Sequence, residues 1–343
     1  MIDVVEVPFQ ILINDWIWYP SREDVFWIEK ETIDSVQKYK SDMSDEELKD
    51  SSYCKKYLKM GEDLHIDALR GAIKLWDSIQ KEGYDVKRGV ITCSILDNGR
   101  LELIDGFHRL DILDYLHYDG NIRIEIVDRG KGWSDFKNKL KKLGKLYTPI
   151  FHPDIPNASW YRGDSMMRLN AIRSEIKIPV DNIIDLGSCE GFMCFGLFDK
   201  VKKHIYGVEE NHLRFEISSY LNKMYNGDSD KIVFYNEDFV KFLQNTDKYF
   251  DVGVFLSTFH HLLIHKGITA WEDLKNLSDK IGVLFFSVAM KDDPVWPNQH
   301  TLLIGLNRDT IPEYLKKHWG YNKYKTLPVK TDQGRILFKF WRE

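Results

Sequence analysis

The stretch from residue 182 to residue 192, Asn-Ile-Ile-Asp-Leu-Gly-Ser-Cys-Glu-Gly-Phe, constrains the fold more than any other part of this chain. Its apolar run, Ile183 to Leu186, predicts a buried strand, and the glycines that follow predict a tight turn before a helix. Glycine lets the backbone approach a bound molecule closely, and the free N–H groups at a helix start accept polar or anionic groups. This order is typical of nucleotide-binding α/β folds.

Further β-type runs follow this stretch, over residues 203–208, 232–235 and 251–256. The first of them is followed by Glu209, roughly 20 residues after the glycine turn, where dinucleotide-type folds place an acidic ligand for a ribose. The second is followed by Asp238. An apolar fifth strand over 281–290 and a terminal pair of strands complete the predicted sheet.

On these features, residues ~160–343 resemble a class I S-adenosylmethionine-dependent methyltransferase. The resemblance implies an α/β fold with a Rossmann-like, seven-stranded methyltransferase domain. The first-strand motif of that family is acidic-x-Gly-x-Gly-x-Gly. Here it is carried by Asp185, Gly187, Cys189 and Gly191, so a cysteine replaces the middle glycine.

The same resemblance implies a cofactor site for S-adenosylmethionine. Gly187 and Gly191 would pass the methionine part of the cofactor, next to Asp185. Glu209 would hold both ribose hydroxyls, and Asp238 would accept a hydrogen bond from the adenine amino group. Ser257, directly after the fourth strand, belongs to the same predicted cofactor-binding set.

The residues after the fourth strand, Ser-Thr-Phe-His-His over 257–261, restrict the chemistry. Methyltransferases that act on exocyclic amines of bases carry a proline-containing turn there, and this turn has no proline. Enzymes that methylate C5 of pyrimidines need a cysteine nucleophile, typically after a proline, and no cysteine of this chain follows a proline. A histidine near neutral pKa suits the removal of a proton from an acceptor hydroxyl. His260 is the first candidate for this catalytic base and His261 the second, while a packing role for either is the alternative. No carboxylate partner completes a metal site with His265, so no metal is predicted.

The first part of the chain carries a different pattern. Apolar residues recur every three or four positions from Ala68 to Ile79, which predicts a helix. Two β-type runs then flank Asp97-Asn98-Gly99, a strong hairpin signal, and Asp-Gly-Phe-His-Arg follows at 105–109 before another helix. This layout resembles the ParB/sulfiredoxin-like domain, a smaller α+β domain whose members bind nucleotide phosphates.

That resemblance implies a nucleotide or phosphate site at Gly106, His108 and Arg109, with ATP or CTP as the ligand. The alternative is a local role, in which Asp105 and Arg109 only cap and pair and His108 is a satisfied surface residue. Some related domains transfer phosphoryl groups, for which Glu62, Asp63 and Asp67 are loose candidates as metal-binding acids.

Proline and asparagine near 152–157 mark a boundary. The predicted organisation is therefore a ParB/sulfiredoxin-like domain over 1–130, a linker over 131–159 and the methyltransferase domain over 160–343. A helix predicted over 160–176 would place Tyr161, Arg162 and Arg168 on the substrate side of the cofactor, or else would serve stability alone.

Composition is that of an ordinary soluble globular protein. Of the 343 residues, 43% are hydrophobic and 29% charged, which is ordinary for chains that bury a core. The net charge of −5 argues against a general grip on nucleic acid or on an anionic membrane. The four cysteines lack zinc-type spacing, and the first residues lack the order of a signal peptide, so we expect a cytoplasmic protein with free thiols.

The sequence thus predicts a transferase that moves a methyl group from S-adenosylmethionine to a small molecule or glycan and carries an N-terminal nucleotide-binding domain. A bifunctional kinase-methyltransferase and a nucleic-acid-directed methyltransferase are the alternatives, and nucleic acid is the less expected partner. The methyl acceptor, the nucleotide and the oligomeric state are not encoded in any recognisable pattern.

Overall fold

A computed structural model describes the chain except for residues 1–2, 9–16, 19–30, 60–64, 86–89, 156–162, 228, 291–304, 330 and 332–333. The chain divides into two compact units. The first comprises Met1–Asp135 with His152–Asp154, and the second comprises Phe136–Phe151 with Ile155–Glu343. The domain boundaries drawn from the sequence stay a prediction. Within the described residues, no helix is both long and apolar enough to cross a membrane.

The first unit contains a five-stranded sheet in the order β1-β5-β3-β4-β2. Its strands are β1 (Asp3–Pro8), β2 (Ile17–Trp18), β3 (Ile91–Ile95), β4 (Leu101–Asp105) and β5 (Asn121–Arg129). The helices are α1 (Asp45–Lys49), α2 (Ser52–Lys59), α3 (Ile66–Glu82), α4 (Phe107–Tyr115) and α5 (Lys131–Leu143), and residues 31–38 are also helical. The helix α5 continues into the second unit.

Local sequence accounts for two elements of this unit. The predicted amphipathic helix is confirmed as α3, which buries Leu69, Ala72 and Ile73 and ends at Gly83 with a φ of +76°. The predicted hairpin is confirmed as the antiparallel pair β3–β4, closed by a hydrogen bond of 2.9 Å from Leu96 N to Arg100 O. Glycine suits the end of α3 because it adopts a positive φ without a Cβ clash.

The second unit is built on a seven-stranded sheet in the order β11-β12-β10-β9-β6-β7-β8. Its strands are β6 (Val180–Leu186), β7 (Val201–Val208), β8 (Ile232–Tyr235), β9 (Phe250–Leu256), β10 (Ile281–Ser287), β11 (Lys323–Leu327) and β12 (Leu337–Trp341). The five strands from β6 to β10 pair in parallel, whereas β12 runs antiparallel to both β10 and β11. The predicted antiparallel terminal pair is therefore confirmed.

The helices of this unit are α6 (Ser165–Glu175), α7 (Phe192–Gly196), α8 (His212–Asn226), α9 (Phe239–Asn245), α10 (Phe259–Lys266), α11 (Thr269–Asp273) and α12 (Thr310–Tyr314). The predicted helix over 160–176 is observed as α6. Tyr161 and Arg162 lie outside the described residues, as do Glu62 and Asp63 of the first unit. Short 3-10 turns at Phe198–Lys200 and Leu277–Asp279 and a π-helix at Leu315–Trp319 complete the unit.

Both faces of this large sheet are buried. Phe285 packs into the hydrophobic cluster on one face, with Leu169 and Ile172 of α6, and its neighbour Phe286 packs into the cluster on the other, with Phe259 and Trp319. Successive strand residues point to opposite faces, so a sheet covered on both sides needs apolar residues at almost every position. That requirement explains the continuous apolar runs in the sequence.

Candidate functional site

A cavity of about 580 Å³ opens in the second unit where the glycine turn meets the ends of the parallel strands. β6 has β7 on one side and β9 on the other, so the strand order reverses at β6, and ligands of open α/β sheets bind outside the carboxyl ends at such a point. The cavity is lined by Tyr147, Gly187, Cys189, Val208, Glu209, Glu210, Arg214, Asp238, Phe239, Ser257, Thr258, His261, Leu262, His265 and Lys266. Four predicted cofactor-binding residues are among them.

The glycine turn after β6 needs its glycines. Gly187 has a φ of +79° and Gly191 a φ of +85°. A Cβ on Gly187 would lie 2.6 Å from Thr258 Oγ1, and a Cβ on Gly191 would lie 2.8 Å from the ring of Phe234. Cys189, which stands where the predicted motif has its middle glycine, also has a positive φ, of +50°. The turn therefore has a glycine-like backbone at a residue that is not glycine.

Glu209 follows β7 and faces the cavity with 7% of its surface exposed. Its Oε2 accepts a hydrogen bond of 2.9 Å from Cys189 N, and its Oε1 accepts one of 2.8 Å from Asn211 N. Burial raises the pKa of this carboxyl, and the two N–H donors oppose that rise. Each oxygen keeps a further lone pair for a hydroxyl donor.

Asp238 lines the same cavity from the end of the β8 loop, but it also has a structural role. It is the N-cap of α9, where its Oδ1 accepts a hydrogen bond of 2.9 Å from Lys241 N. Such caps stabilise a helix by about 1 kcal/mol. Its second oxygen, Oδ2, can accept a hydrogen bond from a molecule in the cavity while Oδ1 caps the helix.

Asp185 lies in an adjoining recess of about 40 Å³ rather than in the larger cavity. The carboxyl group is 5% exposed, and burial raises its pKa to about 7. Cys194 Sγ donates to Asp185 Oδ2 over 3.7 Å and opposes the rise. Gly187 and Ser257 border both spaces, so the recess continues the site.

An arginine that the sequence did not assign to the cofactor lines this recess. Arg168, in α6, is 2% exposed and forms a buried ion pair with Asp164, with 2.9 Å between Arg168 Nε and Asp164 Oδ2. Its Nη1 donates to Ser257 Oγ over 3.3 Å. Asp164 and Arg168 are four residues apart, a spacing that places them on one helix face. In the sequence, this ion pair is indicated by that spacing alone.

The two candidate catalytic histidines are placed differently. His261 is exposed and lines the cavity together with His265, which lies one helical turn further along α10. His260 is 1% exposed, and the described lining of the cavity includes its neighbour instead. Adjacent residues of a helix project about 100° apart, so one of the pair faces the cavity while the other faces the interior. Of the two candidates, it is His261 that lines the cavity, whereas the first candidate from the sequence, His260, is buried.

In the first unit, the predicted phosphate site shows local contacts. Gly106 caps α4 with a φ of +107°, and Arg109 Nη1 donates to Val90 O over 2.7 Å. His108 Nε2 lies 2.8 Å from Tyr53 Oη, and burial lowers the pKa of His108. The contacts of His108 and Arg109 fit the capping and pairing interpretation, and the nucleotide site stays a prediction.

Within the described residues, no group of three or more His, Cys, Asp or Glu side chains is arranged to hold a metal ion. The cysteines of the described chain are free thiols at Cys54, Cys93, Cys189 and Cys194.

No protein-family model and no curated protein matches this chain. Solved structures do align with part of the chain. Monomeric WbdD aligns with 19% identity and a TM-score of 0.47, and the alignment covers 60% of this chain and 48% of the WbdD chain. The N-terminal domain of EvdMO1 in the presence of SAH and D-fucose aligns with 13% identity and a TM-score of 0.45 over 61% of this chain and 96% of that one.

The magnesium protoporphyrin IX methyltransferase (ChlM) from Synechocystis PCC 6803 with bound SAM aligns with 14% identity and a TM-score of 0.39, over 52% of this chain and 78% of that one. Identities and TM-scores this low do not define an activity. The chemistry of this chain therefore has to be argued from the residues of its own site.

Proposed function

We propose that the second unit is an S-adenosylmethionine-dependent methyltransferase of class I with a Rossmann-like sheet. The observation that carries the proposal is the meeting of Gly187, Glu209, Asp238 and Ser257 on one cavity at the reversal of strand order. These residues lie up to 70 positions apart in the chain, and the sequence pattern alone groups them into one site.

The residues fit the cofactor in three physical respects. Gly187 lines the cavity with bare backbone, because a Cβ there would collide with Thr258. Ser188 Oγ, at the wall of the recess, is buried and has no hydrogen-bond partner among the described residues, so it can bond to a polar group there. Asp185 and Arg168 give the recess one acidic and one basic group, which match the ammonium and carboxylate of an amino acid.

The parts of the cofactor are assigned accordingly. Glu209 would hold the ribose hydroxyls with its remaining lone pairs, and Asp238 would accept from the adenine amino group with Oδ2. Gly187 and Gly191 would let the methionine part pass close to the turn. Asp185 and Arg168 would hold the ammonium and carboxylate ends.

When bound, S-adenosylmethionine supplies an electrophilic methyl group on a sulfonium. The protein aligns the acceptor with that group and keeps the acceptor nucleophile close to it, which is the main catalytic contribution for such a transfer. His261 would take the proton from an acceptor hydroxyl as the methyl group is transferred. The cavity beside His261 and His265 is where a small molecule or a glycan would bind.

The test is calorimetric titration of the full-length protein with S-adenosylhomocysteine. Glu209→Ala should abolish binding, because no other group in its place holds the ribose hydroxyls. Glu216→Ala is the matched control, since Glu216 lies on α8 and pairs with Lys139 at 2.8 Å. Unchanged affinity in Glu209→Ala would overturn the site assignment.

For the first unit we propose, on the resemblance to ParB/sulfiredoxin-like domains, that Gly106, His108 and Arg109 receive a nucleotide phosphate. Arg109 uses one N–H on Val90 O and has four others to offer. A role in phosphoryl transfer, which would make the protein a kinase-methyltransferase, and a nucleic-acid-directed methyltransferase stay alternatives.

A further inference from the structure

Glu190, inside the glycine turn, is a buried acid with an unusual number of partners. It is 1% exposed. Its Oε1 accepts from Tyr147 N over 3.2 Å, and its Oε2 accepts from Thr148 N over 3.0 Å and from Thr148 Oγ1 over 2.9 Å. Arg214 forms an ion pair with Oε1. A buried carboxylate is stable only when it is paired and hydrogen-bonded, and Glu190 satisfies that requirement with a segment 42 residues away.

The segment that Glu190 holds forms part of the cofactor site. Tyr147 lines both the large cavity and the small recess, and Thr148 lines the recess. The guanidinium of Arg214 lies 5.8 Å from the centre of the Tyr147 ring, within the range of a cation–π contact. Tyr147 is therefore fixed at its backbone by Glu190 and at its ring by Arg214.

The same turn connects this segment to the proposed ribose ligand. Cys189 N, one residue before Glu190, donates to Glu209. Arg214 lies in the first turn of α8, whose N-cap Asn211 donates its N–H to Glu209. The glycine turn therefore contacts two carboxylates. Glu209 accepts a hydrogen bond from the turn and faces the cavity, whereas Glu190 is part of the turn and binds Tyr147 and Thr148.

We propose that Glu190 is a positioning residue for cofactor binding, which acts by holding Tyr147 and Thr148 as a wall of the cofactor site. The inference rests on the proposed function of the second unit. A wall that is ordered before the cofactor arrives loses little conformational freedom on binding, so its contacts contribute fully to affinity.

The first test measures, without any ligand, whether Glu190 protects the backbone amides of Tyr147 and Thr148 from exchange. Hydrogen exchange of the full-length protein should show protected amides at Tyr147 and Thr148, because both N–H groups donate to Glu190. In Glu190→Gln, a side-chain amide faces the same donors and the ion pair with Arg214 is lost, so both amides should exchange at least tenfold faster. Equal exchange in the two proteins would overturn the proposal.

The second test measures the consequence by titration with S-adenosylhomocysteine. Glu190→Gln and Tyr147→Ala should each weaken binding about tenfold or more, and the loss in the double variant should be smaller than the sum of the two single losses, because Glu190 acts in part through the Tyr147 ring. Effects that add in the double variant would contradict the proposal. Glu175→Gln is the control for lost stability, since Glu175 is a partly buried acid that pairs with Lys325 and Lys339. This variant should bind S-adenosylhomocysteine as tightly as the wild type.

The outcomes separate this inference from the proposed function. If the wild-type protein does not bind S-adenosylhomocysteine, the proposed function fails and this inference fails with it. If the wild type binds and Glu190→Gln binds equally well, the positioning role alone is wrong. Should Glu190→Gln not fold, Thr148→Val removes one donor to Oε2, and it should still raise amide exchange at Thr148 and weaken binding; no change in either would overturn the proposal.

Discussion

The backbone N–H of Cys189 donates a hydrogen bond of 2.9 Å to Oε2 of Glu209, and this bond joins the glycine turn to the end of the neighbouring strand. Cys189 has a left-handed backbone in this turn, with a φ of +50°. A residue with a Cβ pays about 1–2 kcal/mol to adopt that conformation.

Substitutions at Cys189 should therefore separate backbone strain from side-chain chemistry. Cys189→Val should lower the free energy of unfolding by about 1–2 kcal/mol, since a β-branched residue is poorly accommodated at positive φ. Cys189→Gly should be within about 1 kcal/mol of the wild type and should keep its affinity for S-adenosylhomocysteine. Urea unfolding and titration measure both, and a Val variant as stable as the Gly variant would contradict the assignment of strain.

Asp185 predicts a pH dependence of stability. Its pKa is raised to about 7 in the folded protein from an ordinary 3.8, so the folded state keeps a proton that the unfolded chain releases in this window. Stability should therefore fall as the pH rises from about 4 to 7 and stay reduced above that range. Asp185→Asn cannot ionise, and we expect it to exceed the wild type by a few kcal/mol at about pH 8 and to equal it near pH 4. Urea unfolding of both proteins at the two pH values measures this difference in stability, and an equal difference at both would contradict the prediction.

Arg168 should select for the amino acid end of the cofactor. Arg168→Lys keeps the positive charge but loses the planar fork, so affinity for S-adenosylhomocysteine should fall about tenfold. The ligand 5′-methylthioadenosine, which lacks the amino acid end, is the matched control and should bind wild type and variant equally. Equal losses for both ligands would instead indicate a general distortion around the pair with Asp164.

The two histidines should behave differently. His261→Ala should reduce turnover about 10²- to 10⁴-fold without changing the affinity for S-adenosylhomocysteine, because a proton acceptor is lost and the cofactor contacts remain. His260→Ala should instead lower the free energy of unfolding by about 1–3 kcal/mol, since its side chain is buried. Acceptor-dependent formation of S-adenosylhomocysteine with a panel of hydroxyl compounds and glycans gives the turnover. The reverse pattern would restore His260 as the base.

Arg109 tests the first unit. Arg109→Ala should remove calorimetric binding of ATP or CTP, with Arg123→Ala on β5 as an arginine control that leaves binding intact. The substitution also removes the bond to Val90 O, so thermal unfolding must show that the variant is folded. Nucleotide binding that survives in Arg109→Ala would leave the capping interpretation of Gly106 to Arg109 in place.

Local patterns predicted the strands of the second unit, the turn at Gly187 and the position of Glu209, because each depends on residues that are near one another in the chain. The choice between His260 and His261 depends on the rotation of α10 against the sheet, which a strand-to-helix turn of a few residues does not encode. The sequence places Arg168 on the substrate side of a predicted helix, but its position beside Ser257 requires α6 to pack against β9. Glu190 and Tyr147 lie 43 positions apart, and no periodicity connects them.

The position of β12 has a consequence for folding during synthesis. β12 is the last of the seven strands along the chain, yet it lies between β10 and β11, and both Phe338 and Phe340 are buried. While the ribosome is still translating this region, β10 has an unpaired edge that β11 alone does not cover. The second unit is therefore exposed to aggregation until its final strand has emerged and inserted, and β12 controls when the core closes.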